Sequence, residues 1–164
     1  MIEFSAEAQE RFQELVQKYP HKKAALLQAL WVVQEDKGSI SVEAMEYVAN
    51  LLDIPPSQVY SVVHFYSMYQ TEPIGKYHIQ VCRTLSCALN GAESLVKHFS
   101  DRLGVKPRKE TTPDGLFTLS QVECLASCGT GPMCQINESY YENLTPEKVD
   151  QLLEELREQA KHHD

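Results

Sequence analysis

A change of hydrophobic period in mid-chain constrains the fold more than any other feature. Over residues 5–68 apolar side chains recur every three to four positions, the spacing of one helix face. Phe12, Leu15 and Val16 form one stripe, and Leu26, Leu27, Leu30, Trp31 and Val33 form another that Gly38 is placed to cap. Ser41 is a good N-cap for a third segment carrying Met45, Val48, Ala49 and Leu52. Pro55 and Pro56 stop that segment and start a fourth, with Val59, Val62 and Val63 as its apolar positions.

Beyond "QTEPIGKY", Gln70 to Tyr77, the period falls to two: Tyr77, Ile79 and Val81 alternate with His78, Gln80 and Cys82. That is a half-buried strand, with His78 read as a surface residue. Leu89, Ala92, Leu95, Val96, Phe99 and Leu103 then trace a helix that ends at Gly104. "TPDGLF" is a turn, Phe117 to Val122 a second strand, and Met133 to Ile136 a third. Thr145-Pro146-Glu147 starts a last helix bearing Val149, Leu152, Leu153 and Leu156. The expected architecture is α+β: a helical bundle over residues 1–70, then a small sheet with its helices over residues 71–164.

With 164 residues, 43% of them hydrophobic, the chain has a core large enough to fold without disulfides. Its formal net charge of −8 repels a nucleic-acid backbone or an anionic membrane surface, so protein partners are expected. The opening "MIEFSAEAQE" has no apolar run after a basic start, and no apolar run spans a bilayer. The expectation is a chain not inserted in the membrane, in a reducing, cytoplasmic compartment, where five cysteines point to metal or redox work before disulfides.

Four of those cysteines fall in two short-spaced pairs in the second half: Cys82-x4-Cys87, then thirty-six residues, then Cys124-x3-Cys128. No two are separated by only two residues, which removes the dithiol pattern of thioredoxins and the commonest zinc pairing. A [2Fe-2S] cluster has two irons, each needing two further sulfur ligands, so two loops with a thiolate pair each can grip it from opposite ends. A single zinc on four convergent thiolates, or buried thiols without a ligand, remain open on spacing alone. A histidine-containing Rieske centre is disfavoured, since only His78 lies near a cysteine, and His64, on the helical half, reads as a packed or capped side chain.

Small neighbours fit an anionic site: Ser127, Gly129 and Gly131 allow backbone N–H groups to approach, and Cys87 is expected to open a helix that begins near Ala88. Cys134 shares a face with Ile136 and reads as a buried thiol. Tyr66, Tyr69, Tyr140 and Tyr141 read as core or interface aromatics, with no basic patch beside them.

The segments "HFYSMYQTEPIGKYHIQVCRTLSC" and "TTPDGLFTLSQVECLASCGTGPMCQINESYYENLT" resemble the thioredoxin-like [2Fe-2S] subunits of respiratory complex I. The likeness extends over nearly the whole chain, helical half included. It implies a thioredoxin-like ferredoxin fold after the bundle, with Cys82, Cys87, Cys124 and Cys128 as ligands of one [2Fe-2S] cluster. It further implies a place beside a flavoprotein subunit that binds NADH and FMN, among other peripheral-arm subunits. There the chain transfers electrons one at a time from a two-electron donor and does not itself turn over NADH. No G-x-G-x-x-G follows a strand, so no nucleotide site is expected in this chain. Small subunits of NAD-linked hydrogenases and formate dehydrogenases resemble it too, and a zinc-stabilised interaction module is the alternative of another class.

Overall fold

The structure is a computed structural model and describes residues 2–162. It divides into two compact units, Met1–Pro73 and Ile74–Asp164, each with its own core.

In the first unit, helix α1 (Ala6–Gln17) starts at Ser5, whose hydroxyl accepts from the N–H of Ala8 at 3.2 Å. Helix α2 (Leu26–Lys37) ends at Gly38, which takes the left-handed conformation that favours glycine, φ 77°. Ser41 caps α3 (Val42–Leu52) through Ala44 N at 3.2 Å, and Pro56 occupies the first turn of α4 (Pro56–Phe65). Leu30, Val48 and Val59 are fully buried where these helices meet. Leu27, expected on the buried stripe, stays 37% exposed. The segment after α4 folds back on α2: Tyr69 Oη donates to Leu27 O at 2.8 Å, and Gln70 N to Gln34 Oε1 at 2.6 Å. Tyr69 is thus a core aromatic whose burial pushes its phenol up to about 12, while Tyr66 and Tyr140 are exposed. His64 is held by its own helix, Nδ1 lying 2.9 Å from Tyr60 O with the two rings stacked.

The second unit is a five-stranded sheet in the order β2-β3-β1-β4-β5. Strand β1 (Tyr77–Cys82) leads into a short helix α5 (Leu85–Leu89) and then α6 (Ala92–Leu103). Next come β2 (Arg108–Thr111), β3 (Phe117–Val122), β4 (Cys134–Ile136), β5 (Ser139–Tyr141) and α7 (Pro146–His162). The crossover through α6 makes β1 and β3 parallel, pairing Tyr77 with Phe117 through to Cys82 with Val122; the remaining pairs are antiparallel. One face of the sheet, with Ile79, Val81, Phe117, Leu119, Cys134 and Ile136, packs against apolar stripes of α6 and α7.

The other face corrects the sequence reading of His78. That side chain is 4% exposed, its Nε2 2.8 Å from Ser120 Oγ on the parallel neighbour, while Thr118 Oγ1 accepts from Gly75 N at 2.7 Å. The second face is therefore polar but buried, and a strand pattern that looks half-solvated is satisfied side chain to side chain. Strands β2 and β5 are absent from the sequence expectation. They are the two edges of the sheet, short and largely exposed, and an edge strand bonded on one side needs no apolar alternation. The helix expected from Leu89 breaks in two, because Asn90 N bonds back to Ser86 O and Gly91 starts α6 in a left-handed conformation, φ 91°.

Among the described residues no helix is long and apolar enough to cross a membrane.

Candidate metal centre

The four thiols singled out by spacing lie in two pairs where two connections leave adjacent parallel strands. Cys82 is the last residue of β1 and pairs in register with Val122, the last of β3; the connection after β3 carries Cys124 and Cys128. This is the carboxyl end of the parallel pair, where open sheets commonly place a site. Cys82 and Cys87 are buried on a small apolar floor with Ala92 and Met133, and Cys124 and Cys128 are exposed above it. All five cysteines are unbridged.

Cys87 differs from expectation. It lies in the middle of α5 and does not open a helix, so a helix-end dipole is not what favours its thiolate. Thr84, extended at φ −75° and ψ 169°, turns the chain out of the strand and into that single turn.

The sulfurs form two pairs. Cys124 Sγ and Cys128 Sγ are 3.7 Å apart, and Cys82 and Cys87 share one small buried cluster. Two thiolates on one tetrahedral metal at ~2.3 Å lie about 3.8 Å apart, so the exposed pair already has the spacing of two ligands on one metal. The pairs also act on each other: the charge of Cys82 works on Cys124 and Cys128, and that of Cys128 on Cys87. Among the described residues no group of three or more His, Cys, Asp or Glu is close enough to hold one ion.

In each pair one thiol ionises more readily than the other. Burial opposes the Cys82 thiolate, yet donors from Thr84, from the backbone of Leu125 and from Cys87 hold its pKa below the ordinary thiol value. Cys87, buried and facing that thiolate, is pushed up to about 11. The N–H of Ala126, 3.3 Å from Cys124 Sγ, together with the Cys128 and Thr84 side chains lowers Cys124, and its thiolate in turn raises Cys128. A metal cation bound by these thiolates would displace their protons.

Each connection also favours the thiolates of the other: the hydroxyls of Thr84 and Ser86 work to lower Cys124 and Cys128, and the backbone of Leu125 and Met133 works to lower Cys82 and Cys87. Ala126 stands at φ 63°, bending the second loop so that its amide points at Cys124. The Gly131–Pro132 peptide is cis. Of the glycines expected to open the site, Gly131 does so: a Cβ there would lie 3.1 Å from Cys87 Sγ, whereas one at Gly129 would meet nothing within 4 Å.

The support of the loop is invisible in the sequence. Tyr140 Oη donates to Leu125 O at 2.9 Å, Asn143 N to Thr130 O at 2.7 Å, and Leu144 N to Pro132 O at 3.0 Å. Glu142 Oε1 accepts from both Ser127 Oγ and Thr130 Oγ1, the latter at 2.5 Å. These hydroxyls hold the Glu142 carboxyl below the usual carboxylate range. Strand β5 and the turn after it thus fasten the connection carrying the exposed pair. Only the small polar residues around Cys128 hint at it. Cys134 is fully buried, as the sequence reading has it, and burial pushes its thiol up to about 12.

The donor set suits a soft metal on thiolate pairs, and Gly131 lets the backbone pass against Cys87 where a Cβ would crowd its sulfur. Comparison with known proteins agrees. The family model for the thioredoxin-like [2Fe-2S] ferredoxin matches residues 12–157. The NADH-quinone oxidoreductase E subunit of Rickettsia felis is 45% identical over 146 residues, covering 87% of this chain and 87% of that protein. An NADH-quinone oxidoreductase E subunit of Rhizobium meliloti is 39% identical over 148 residues, covering 90% of this chain and 88% of the relative. Among solved structures, the NAD+-reducing [NiFe]-hydrogenase in its air-oxidised state aligns with a TM-score of 0.66 at 22% identity over 83% of this chain. This chain spans 22% of that hydrogenase chain, and at such identity the likeness is one of fold.

Proposed function

The chain belongs to the thioredoxin-like [2Fe-2S] ferredoxin family, and we propose that it is the electron-transfer subunit of an NADH-quinone oxidoreductase, holding one [2Fe-2S] cluster on Cys82, Cys87, Cys124 and Cys128. The observation that carries the ligand assignment is the meeting of two thiol pairs, one from each connection leaving a parallel strand pair. The bound cluster supplies one-electron storage at low energetic cost.

This chain's own residues do the rest. Cys82 and Cys87, buried on the apolar floor with Met133, would hold the cluster from the side that excludes water. Cys124 and Cys128, the exposed pair, would hold it from the solvent side. Amide and hydroxyl donors from Ala126, Leu125, Thr84 and Ser86 spread the negative charge of the thiolates.

The partner in this reading is the flavoprotein subunit that carries FMN and oxidises NADH, and the isolated chain does not turn NADH over. Leu85 and Leu89, on the one-turn helix around Cys87, are 74% and 80% exposed and suit burial against that partner. The site belongs on the peripheral arm at the cytoplasmic face of the membrane. The relatives at 45% and 39% identity favour the quinone-linked complex over a hydrogenase, whose support is fold alone. The test is anaerobic mixing of the cluster-loaded chain with its flavoprotein and NADH. Bleaching of the cluster's visible absorption only when both are present supports the reading, and bleaching by NADH without the flavoprotein defeats it.

A further inference from the structure

Glu142 is neither a thiol nor near the ligands in sequence, yet the loop between Cys124 and Cys134 converges on it. One carboxylate oxygen accepts from the hydroxyls of Ser127, the residue before Cys128, and Thr130, two residues after it. The two hydroxyl oxygens lie 2.7 Å apart around that acceptor, and the next residue, Asn143, donates its amide to Thr130 O. The one-turn helix Cys128–Thr130 is therefore clamped from outside by a charged acceptor.

We propose that Glu142 is a positioning residue for the cluster: it fixes the loop that carries Cys124 and Cys128, and its charge makes reduction at that end harder. The inference rests on the cluster assignment above. Its physical basis is twofold. Charge-assisted hydrogen bonds to a carboxylate are stronger than neutral ones, so removing the acceptor loosens both flanks of Cys128 together. A fixed negative charge beside a centre about to gain an electron disfavours the gain, and because the carboxylate is exposed the effect fades with salt.

The experiment uses the full chain, loaded anaerobically with iron and sulfide, as wild type, Glu142→Gln, Glu142→Ala, Thr130→Val and the Glu142→Ala/Thr130→Val double variant. Iron release to a chelator and the reduction potential, followed optically, are the readouts. Glu142→Gln, which keeps an acceptor oxygen, is expected to release iron within twofold of wild type but to show a raised potential, more so at low salt. Glu142→Ala is expected to release iron at least fivefold faster, and the double variant no faster than Glu142→Ala. A wild-type release rate in Glu142→Ala, or a wild-type potential in Glu142→Gln, overturns the inference. A wild-type chain that takes up no iron and sulfide overturns the cluster assignment instead, and this inference with it.

Discussion

Gly131 lies so close to Cys87 that a methyl group on its Cα would stand 3.1 Å from the sulfur. Its φ of −70° is open to any residue, so contact with Cys87 and not backbone strain selects glycine there. A free Cys87 side chain yields by a few tenths of an ångström; one tied to a metal does not. Gly131→Ala is therefore expected to leave the fold and melting temperature of the metal-free chain nearly unchanged and to speed iron loss several-fold. Equal chelator kinetics in the two loaded proteins would contradict this.

The ligand assignment separates Cys134, buried on β4, from the exposed-loop thiols Cys124 and Cys128. Cys124→Ser and Cys128→Ser are expected to lose or weaken the cluster, with visible absorption and iron content reduced. Cys134→Ser is expected to keep it, at a stability cost of about 1–3 kcal/mol for a hydroxyl placed among the apolar residues of the sheet face. Loss of iron in Cys134→Ser with retention in Cys124→Ser and Cys128→Ser would reverse the set.

How much of this was legible in the sequence follows the physics of each element. Helices α2, α3, α6 and α7 and strands β1 and β3 bury apolar stripes, and a stripe leaves a period that can be read. Strands β2 and β5 are hydrogen-bonded at sheet edges with residues such as Arg108, Lys109 and Ser139 outward, and they leave none. The thiol set was legible because its chemistry is in the residue type and spacing. Its fastening through Tyr140, Glu142 and Asn143 was not, because those bonds join residues twelve or more positions apart and half of them end on backbone atoms. His78 was misread for a related reason: alternation cannot tell a solvated strand face from a polar face whose partners are Ser120 and Thr118.

That buried histidine makes a pH prediction. Burial, and secondarily the positive charge of Lys109, lower the His78 pKa from 6.5 to about 4. Between those values the unfolded chain binds a proton that the folded chain refuses, so stability is full above about pH 6.5 and falls as pH drops toward 4. The loss reaches about 3 kcal/mol near pH 4 and then levels off for this group. Denaturant midpoints of the metal-free chain across pH 4–7 should carry this slope, and it should flatten in His78→Gln. A ring that titrates near 6.5 by NMR would contradict it.

The exposed leucines of α5 give the partner reading its own test. Leu85→Glu with Leu89→Glu should leave iron content and melting temperature unchanged, since both side chains are mostly in solvent, and weaken association with the flavoprotein at least tenfold. Undiminished association would remove α5 from the contact.

The central claim is that two thiol pairs, 82 with 87 and 124 with 128, hold a two-iron cluster. Iron, zinc and acid-labile sulfide per chain, measured on anaerobically purified protein, test it most directly. The account predicts about two irons and two sulfides per chain and no stoichiometric zinc. About one zinc per chain without sulfide would contradict it and make the centre a structural metal site.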